Sequence, residues 1–438
     1  MGSMLVDRGV VFWPVGSGDS TTVVVEEDLV MQVDLRDMDK ADADDTPEVP
    51  VVDRLVEALP QRDGRPYLAV FVLTHADKDH CAGFADLLTE VTIGELWASP
   101  RLWRELKEDP NAEMCEDATA FHDEAKRRVE ATRRADARGQ EPVSGDRVRI
   151  IGHDPDGDLY GYTDLPDKRI SHPGQVITTL DDVECGEHFQ AFLHAPFKDD
   201  SAKARNDTSV AMQITLTEGP GTGRFLLLGD LAYETITKIF DYSERNDRGD
   251  RVDWDVLLAP HHCSKSVMYE NGDVNNLQQD LLDTIERHGI YPATIVASSS
   301  EIPAVDTTGA NPPHKIAADR YTEIADNFLC TADYSQGSEP APIVFEVTEN
   351  GAALLDPAYF AEAAHTAVKS SGEPRSRLQA VAVAAAVVAA AVEAKRALNR
   401  TRTPDPGKPR GVESVRERIT QQRGGRQAPT KTVGFGHE

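Results

Sequence analysis

Four side chains able to hold a metal ion fall within six positions: His75, Asp77, Asp79 and His80. Imidazole nitrogens and carboxylate oxygens together suit Zn2+, Mn2+ or Fe. The cluster follows a continuous apolar run, residues 68–74, which has the character of a buried strand delivering residues to a site at its C-terminal end. Alternate residues of a tight turn that then opens a helix can face two neighbouring ions rather than one, and Gly83 lets the backbone turn closely behind them. The opposing reading is a solvated acidic turn with capping residues. Two histidines and two aspartates directly behind an apolar strand fit it poorly.

The elements that must carry this turn are of both kinds. Strands are expected at 10–13, 21–26 and 30–34, the first two joined by the turn Gly16-Ser17-Gly18-Asp19. An acidic loop follows over 37–53, then a short helix at 54–59. Further strands are expected at 148–151, 190–194, 210–216, 225–228, 256–259 and 293–297, with helices at 233–240, 277–288 and 315–327. Runs of successive strands, rather than strict strand–helix alternation, predict an α/β fold: an αββα sandwich of two mixed sheets flanked by helices. Residues 103–138 are highly charged with helical spacing and no core pattern, so a helical insertion of about 101–140 is expected to lie on the surface. Residues 1–357 would form one domain. An Ala-rich helical segment at 358–400 and a basic, disordered tail at 401–438 would follow it. The apolar run at 378–392 is 15 residues of mostly Ala and Val, short for a membrane span.

The formal net charge is −29. From Val368 onward there are 14 Lys+Arg against 6 Asp+Glu, a net of +8, which leaves −37 on the first 367 residues. So acidic a body argues against broad adhesion to duplex nucleic acid or anionic membrane, and it draws divalent cations. Five scattered cysteines without a CxxC pair, and no secretory signal, fit a reduced, cytoplasmic setting. Cys81 and Cys263 are expected as small buried hydrophobes, with metal or redox sensitivity as the alternative.

The string from Thr74 to His80 resembles the HxHxDH signature of the metallo-β-lactamase superfamily, in the HxDxDH form of its ComEC-like branch. Other stretches are similar to that branch in the same order. They are Phe12 to Ser20 around Gly16 and Asp19, the strand-end Asp34, Leu193-His194-Ala195-Pro196, Asn206 to Val210, Phe225 to Asp230, Leu257 to Ser264, and Asn311 to His314. The resemblance runs from about residue 9 to 348, and it lacks the transmembrane channel of the DNA-uptake proteins. It implies two divalent ions, zinc or manganese. His75, Asp77 and His194 would hold one ion, and Asp79 and His80 the other. Asp230 would bridge the two, His261 or His262 would complete the second site, and Asp34 would orient a ligand histidine. Asp79, Asp230 and His262 are the residues expected to carry catalysis, while Ser264, Lys265 and His314 would contact substrate. Cys263 departs from the glycine usual after the paired histidines.

The resulting expectation is a metal-dependent hydrolase, a phosphodiesterase or nuclease using a metal-bridging hydroxide on a nucleotide or single-stranded nucleic acid. Two other readings keep their place. One is hydrolysis of a lactone, thioester or phosphorylcholine ester at the same site. The other is a subunit of a larger assembly, joined to a protein partner through 358–438.

Overall fold

In a computed structural model, which describes residues 5–38, 48–109, 112, 114–152, 164–200, 205–336 and 339–356, the apolar runs pair into two large sheets. The first contains β1 (Gly9–Phe12), β2 (Thr21–Glu26), β3 (Leu29–Val33), β4 (Arg65–Val72), β5 (Thr92–Ala98), β6 (Arg147–Ile151) and β7 (Ile170–Ser171). The second contains β8 (Val176–Ile177), β9 (Phe189–Ala195), β10 (Ala211–Glu218), β11 (Gly221–Leu227), β12 (Trp254–Leu258), β13 (Gly289–Ala297) and β14 (Asn327–Cys330). The chain then returns to the first sheet as β15 (Ile343–Thr348), which pairs with β1, and β16 (Gly351–Leu354).

Each sheet is mixed in the same way. β1, β2 and β3 pair antiparallel, and the pairs from β3 through β4, β5 and β6 to β7 are parallel. In the second sheet β8 to β11 are antiparallel, and β11 to β14 parallel. Parallel strands buried on both faces read as unbroken apolar runs, which is why residues 68–72 and 256–258 show no alternation.

One core joins the inner faces of the two sheets, with Val70, Val72 and Phe12 meeting Phe189, Leu193, Met212 and Phe225. A second core lies between the first sheet and α1 (Val51–Ala58), α3 (Phe84–Glu90), α4 (Arg101–Glu108) and α5 (Glu116–Asp136); the short α2 (Lys78–Cys81) adds Cys81 to it. A third lies between the second sheet and α6 (Tyr233–Arg245), α7 (Gln279–His288) and α8 (Lys315–Ile324). The layers are therefore helix, sheet, sheet, helix, as expected.

The insertion departs from its expected surface position. On α5 the residues Ala118, Phe121, Ala125 and Val129 are buried, and Phe121 packs against Phe71 and Phe84. Arg128, only 2% exposed, sends its guanidinium to the carbonyl oxygens of Ile93, Gly94 and Arg147. The apolar stripe is narrow and its charged members do structural work, so composition alone conceals it. Residues 315–327 also divide: the helix stops at Ile324 and Asn327 opens β14. Among the described residues no helix is long and apolar enough to cross a membrane. The Ala-rich segment and the basic tail lie outside the described residues.

Candidate metal centre

β4 ends at Val72, and the chain leaves the sheet at its C-terminal edge with Thr74 and His75 before α2 begins at Lys78. The carboxyl ends of parallel strands leave a crevice of just this kind. Backbone hydrogen bonds pin the turn to its neighbours. Leu35 N donates to His80 O (2.8 Å), Asp19 N to Asp79 O (3.1 Å), and Val210 N to Thr74 O (3.0 Å), the last crossing to the second sheet. Gly83 has φ +93° and a Cβ there would stand 2.4 Å from the Asp37 Cβ, so glycine is required behind the turn.

Asp34 organises the histidines. It is buried, and its carboxylate accepts from Thr74 N (2.7 Å), Thr74 Oγ1 (2.6 Å) and His80 Nδ1 (2.7 Å). The Thr74 hydroxyl hydrogen is thereby committed to Asp34, so its oxygen accepts from His75 Nδ1–H (3.0 Å). His262 Nδ1 donates to Ser298 O (3.2 Å). All three Nδ1 atoms thus carry the proton, and all three Nε2 lone pairs face inward.

Those lone pairs meet acceptors. His80 Nε2 is 3.2 Å from His262 Nε2 and 3.3 Å from Asp230 Oδ1. His262 Nε2 is 3.4 Å from the same oxygen and 3.3 Å from Asp79 Oδ2. Asp230 Oδ1 and His75 Nε2 are buried with no hydrogen-bond partner. Ligands about 2.0–2.1 Å from a tetrahedral ion lie roughly 3.3–3.4 Å from one another, so these separations fit a divalent cation. Among the described residues, Asp19, His80, Asp230 and His262 offer ligand atoms that all lie within 4.8 Å of one another.

The other carboxylate oxygen of Asp230 faces a more open half. Oδ2 is 3.7 Å from His75 Nε2 and 3.7 Å from His261 Nε2, and Asp77 Oδ2 is 3.6 Å from His75 Nε2. Asp230 is therefore placed between two groups of ligands, as a bridging carboxylate must be. Asn206 Nδ2 donates to its Oδ2 (3.4 Å). Arg205 Nη1 donates to Asp77 Oδ1 (2.9 Å), while its Nε and Nη2 clamp Glu105 of α4. The insertion thus reaches a candidate ligand through one guanidinium.

The charges at the centre suit a cation. Burial draws the His80 imidazolium down, yet Asp230 and Asp34 outweigh it and its pKa stands well above the ordinary histidine value. Burial likewise lowers the His262 pKa, but Asp230 and Asp19 outweigh it and raise the value to about 10. Burial favours a neutral Asp230, but His80 and His262 hold it well below the carboxylate range. Two imidazolium groups cannot point their Nε2 protons at each other across 3.2 Å, so a single cation shared by both rings answers the charge better than two protons.

Three expected roles change. His194 does not reach the cluster: its Nε2 donates to Arg251 O (2.8 Å), its ring packs on Phe192, and burial lowers its pKa to about 4. Leu193 before it lies in the core between the sheets, so strand alternation places the His194 side chain on the other face. Ser264 is buried and its Oγ accepts from Ser266 N, capping the turn Lys265–Val267 rather than facing the crevice. His314 has both ring nitrogens engaged, accepting from Lys265 N (3.4 Å) and donating to Ala310 O (3.2 Å), so it braces the histidine segment. Lys265 lies near enough to contribute to the lowered His314 pKa, after burial.

The paired histidines are both used, on different oxygens of Asp230. They can be because His261, His262 and Cys263 all adopt left-handed backbone angles, φ +50°, +52° and +66°. Such angles cost an L-residue about 1–2 kcal/mol each, and Cys263 holds one of them where glycine would be free. The residues sequence reasoning passed over as site members are Asp19, Arg205 and Asn206. Asp19 follows Gly18, whose Cβ would stand 2.6 Å from Asp79 O, so the turn must press against the ligand loop. That Gly-Ser-Gly-Asp spacing was the available signal.

No family model and no curated protein matches the sequence. Among solved structures, MEM-A1, a subclass B3 metallo-β-lactamase isolated from a soil metagenome library, is similar at 13% identity and a TM-score of 0.30, over 65% of this chain and 91% of that one. LRA-12, a class B3 di-zinc metallo-β-lactamase from an Alaskan soil metagenome, is similar at 12% identity and a TM-score of 0.28, over 65% of this chain and 90% of that one.

Proposed function

We propose that the chain is a metal-dependent hydrolase of metallo-β-lactamase type, in the ComEC-like branch, acting on phosphodiesters of nucleotides or single-stranded nucleic acid. The observation that carries the reading is Asp230. One of its oxygens, without a hydrogen-bond partner, faces His80 and His262, and the other faces His75 and His261. Asp79, His80, His262 and Asp230 would hold one divalent ion, zinc or manganese, with Asp19 beside them. His75, Asp77, His261 and Asp230 would hold the second. Bound ions of this kind polarise an ester and make water a nucleophile near neutral pH.

The chain's own residues divide the remaining work. Asp34 and Ser298 fix the tautomers of His80 and His262. His261 is partly exposed at the mouth of the crevice, and burial lowers its pKa, which favours the neutral ring a metal ligand needs. The ammonium of Lys265 supports an anionic substrate there. The net charge of −29 argues for a short or single-stranded substrate over a duplex. The segment 358–438 would serve a protein partner.

Purified protein loaded with Mn2+ or Zn2+ tests the substrate class against bis-p-nitrophenyl phosphate and a lactone. Phosphodiester turnover that a chelator abolishes and Lys265→Ala slows supports it. Lactone turnover alone would move the same site to carboxylic esters.

A further inference from the structure

The ligand turn carries a thiol that hydrolysis does not use. Cys81 directly follows His80, and its Sγ lies 3.4 Å from Sγ of Cys115, 34 positions away at the N-cap of α5. Both are free thiols. A disulfide needs about 2.0 Å between sulfurs, so closure asks for an approach of roughly 1.4 Å. The two thiols stand in unlike surroundings. Cys81 is buried, and its single S–H is shared between Asp77 O (3.2 Å) and Cys115 Sγ (3.4 Å). Cys115 is half-buried, and its sulfur accepts from Ala118 N–H (3.4 Å) at the positive end of a 21-residue helix. The hydrogen bond from Cys81, and then the helix amide, bring its pKa down to about 6 against the opposing effect of burial. A partly accessible thiolate beside a buried thiol is the arrangement of an attacking and a resolving cysteine.

We propose that Cys115 and Cys81 form an oxidative-modification site that takes a hydroperoxide and closes to a disulfide between the insertion and the metal turn. The Cys115 thiolate attacks one peroxide oxygen; the S–O bond forms, the O–O bond breaks, and the departing alkoxide or hydroxide takes a proton. Cys115 is then a sulfenic acid. The sulfur of Cys81 attacks it as its proton is lost, the S–S bond forms, the S–O bond breaks, and water leaves. Two thiols and one hydroperoxide become a disulfide, an alcohol (water, when the oxidant is hydrogen peroxide) and water, with two electrons passing from sulfur to peroxide. Closure removes the Cys81 donor from Asp77 O and pulls on the residue after His80, so the disulfide weakens cation binding. That second part rests on the proposed metal centre.

The test uses the full chain, treated with equimolar hydrogen peroxide at pH 7, capped with N-ethylmaleimide and mapped without reduction. A single Cys81–Cys115 cross-link, reversed by dithiothreitol, is expected. Cys81→Ser should instead leave a Cys115 sulfenic acid that dimedone traps, and Cys115→Ser should form neither product, whereas Cys185→Ser should cross-link as the unaltered chain does. Cys115 left unmodified at peroxide doses that oxidise free cysteine, or cross-links spread over all five cysteines, would overturn the site. Zn2+ titration of oxidised against reduced protein should show affinity lowered about tenfold. Equal affinities would overturn the coupling, whereas a chain that binds no Zn2+ in either state would refute the metal centre and leave the mapped disulfide standing.

Discussion

Asp34→Asn separates orientation of a ligand from its presence. Asp34 sits at φ +54°, a conformation asparagine tolerates, so the backbone should survive the exchange. One amide oxygen can still accept from Thr74 N. The amide nitrogen, however, now faces Thr74 Oγ1 and His80 Nδ1, where two donated protons met a carboxylate oxygen. Two donors cannot face each other, so His80 must move its proton to Nε2. There it points at Asp230 Oδ1 and His262 Nε2, 3.3 and 3.2 Å away, and blocks the cation. Partners of this kind change metal affinity about 10–100-fold, or roughly 1.4–2.7 kcal/mol. The metal-free variant keeps an Nε2–H bond to Asp230, so its thermal midpoint should shift little. Asp34→Ala differs, because three buried donors lose their acceptor at about 1–3 kcal/mol each. Competition with a chromophoric chelator for Zn2+, beside thermal melts of both variants, reads the two effects. Asp34→Asn binding Zn2+ within twofold of the unaltered chain would refute the tautomer reasoning.

Four further outcomes follow from particular contacts. His194→Gln should keep its metal content by elemental analysis, because its nitrogen serves the Arg251 carbonyl; loss of an ion would restore it as a ligand. Arg205→Lys cannot clamp Asp77 and Glu105 together, so chelator competition should show Zn2+ affinity falling several-fold, and chemical denaturation a loss of about 1 kcal/mol. The alkylation rate of Cys115 should rise with pH through an inflection at about 6, and Cys81→Ala should move that inflection upward, since the Cys81 hydrogen bond is its largest cause. Burial raises the Glu124 pKa, but its bonds to Arg127 and Arg128 more than reverse this, so the folded value lies below the unfolded one. Its contribution to stability is complete above about pH 4.3 and lost as pH falls through the folded value; urea midpoints of Glu124→Gln should therefore fall less toward acid pH.

The strands of the fold were legible wherever burial on both faces left an unbroken apolar run, as at Leu68–Val72 and Val256–Leu258. The ligand turn was legible because its four side chains are neighbours in sequence. The insertion was not, since Arg128 and Glu124 spend their charges inside the fold and disguise the face that Phe121 and Val129 bury. His194 misled for the opposite reason: its Leu-His-Ala-Pro setting fits a ligand, but Leu193 faces the core between the sheets, and strand alternation turns the His194 ring to the other face, onto the Arg251 carbonyl. Asp19 and Asn206 lie in stretches legible in the sequence, at the Gly-Ser-Gly-Asp turn and before Val210, but their contacts with the centre, like the ion pair of Arg205 with Asp77, arise only in the folded chain. Asp230 was found by its motif, yet its use of both oxygens is a fact of three-dimensional placement.

The central claim is that His80, His262 and Asp230 share a divalent cation. Elemental analysis after loading with Zn2+ and dialysis into metal-free buffer tests it directly, on the unaltered chain beside His80→Ala/His262→Ala. Retention of at least one ion per chain by the former and its loss from the latter, with both melting cooperatively, is the expected result. No retained ion in the unaltered chain, or equal retention in the double variant, would contradict it.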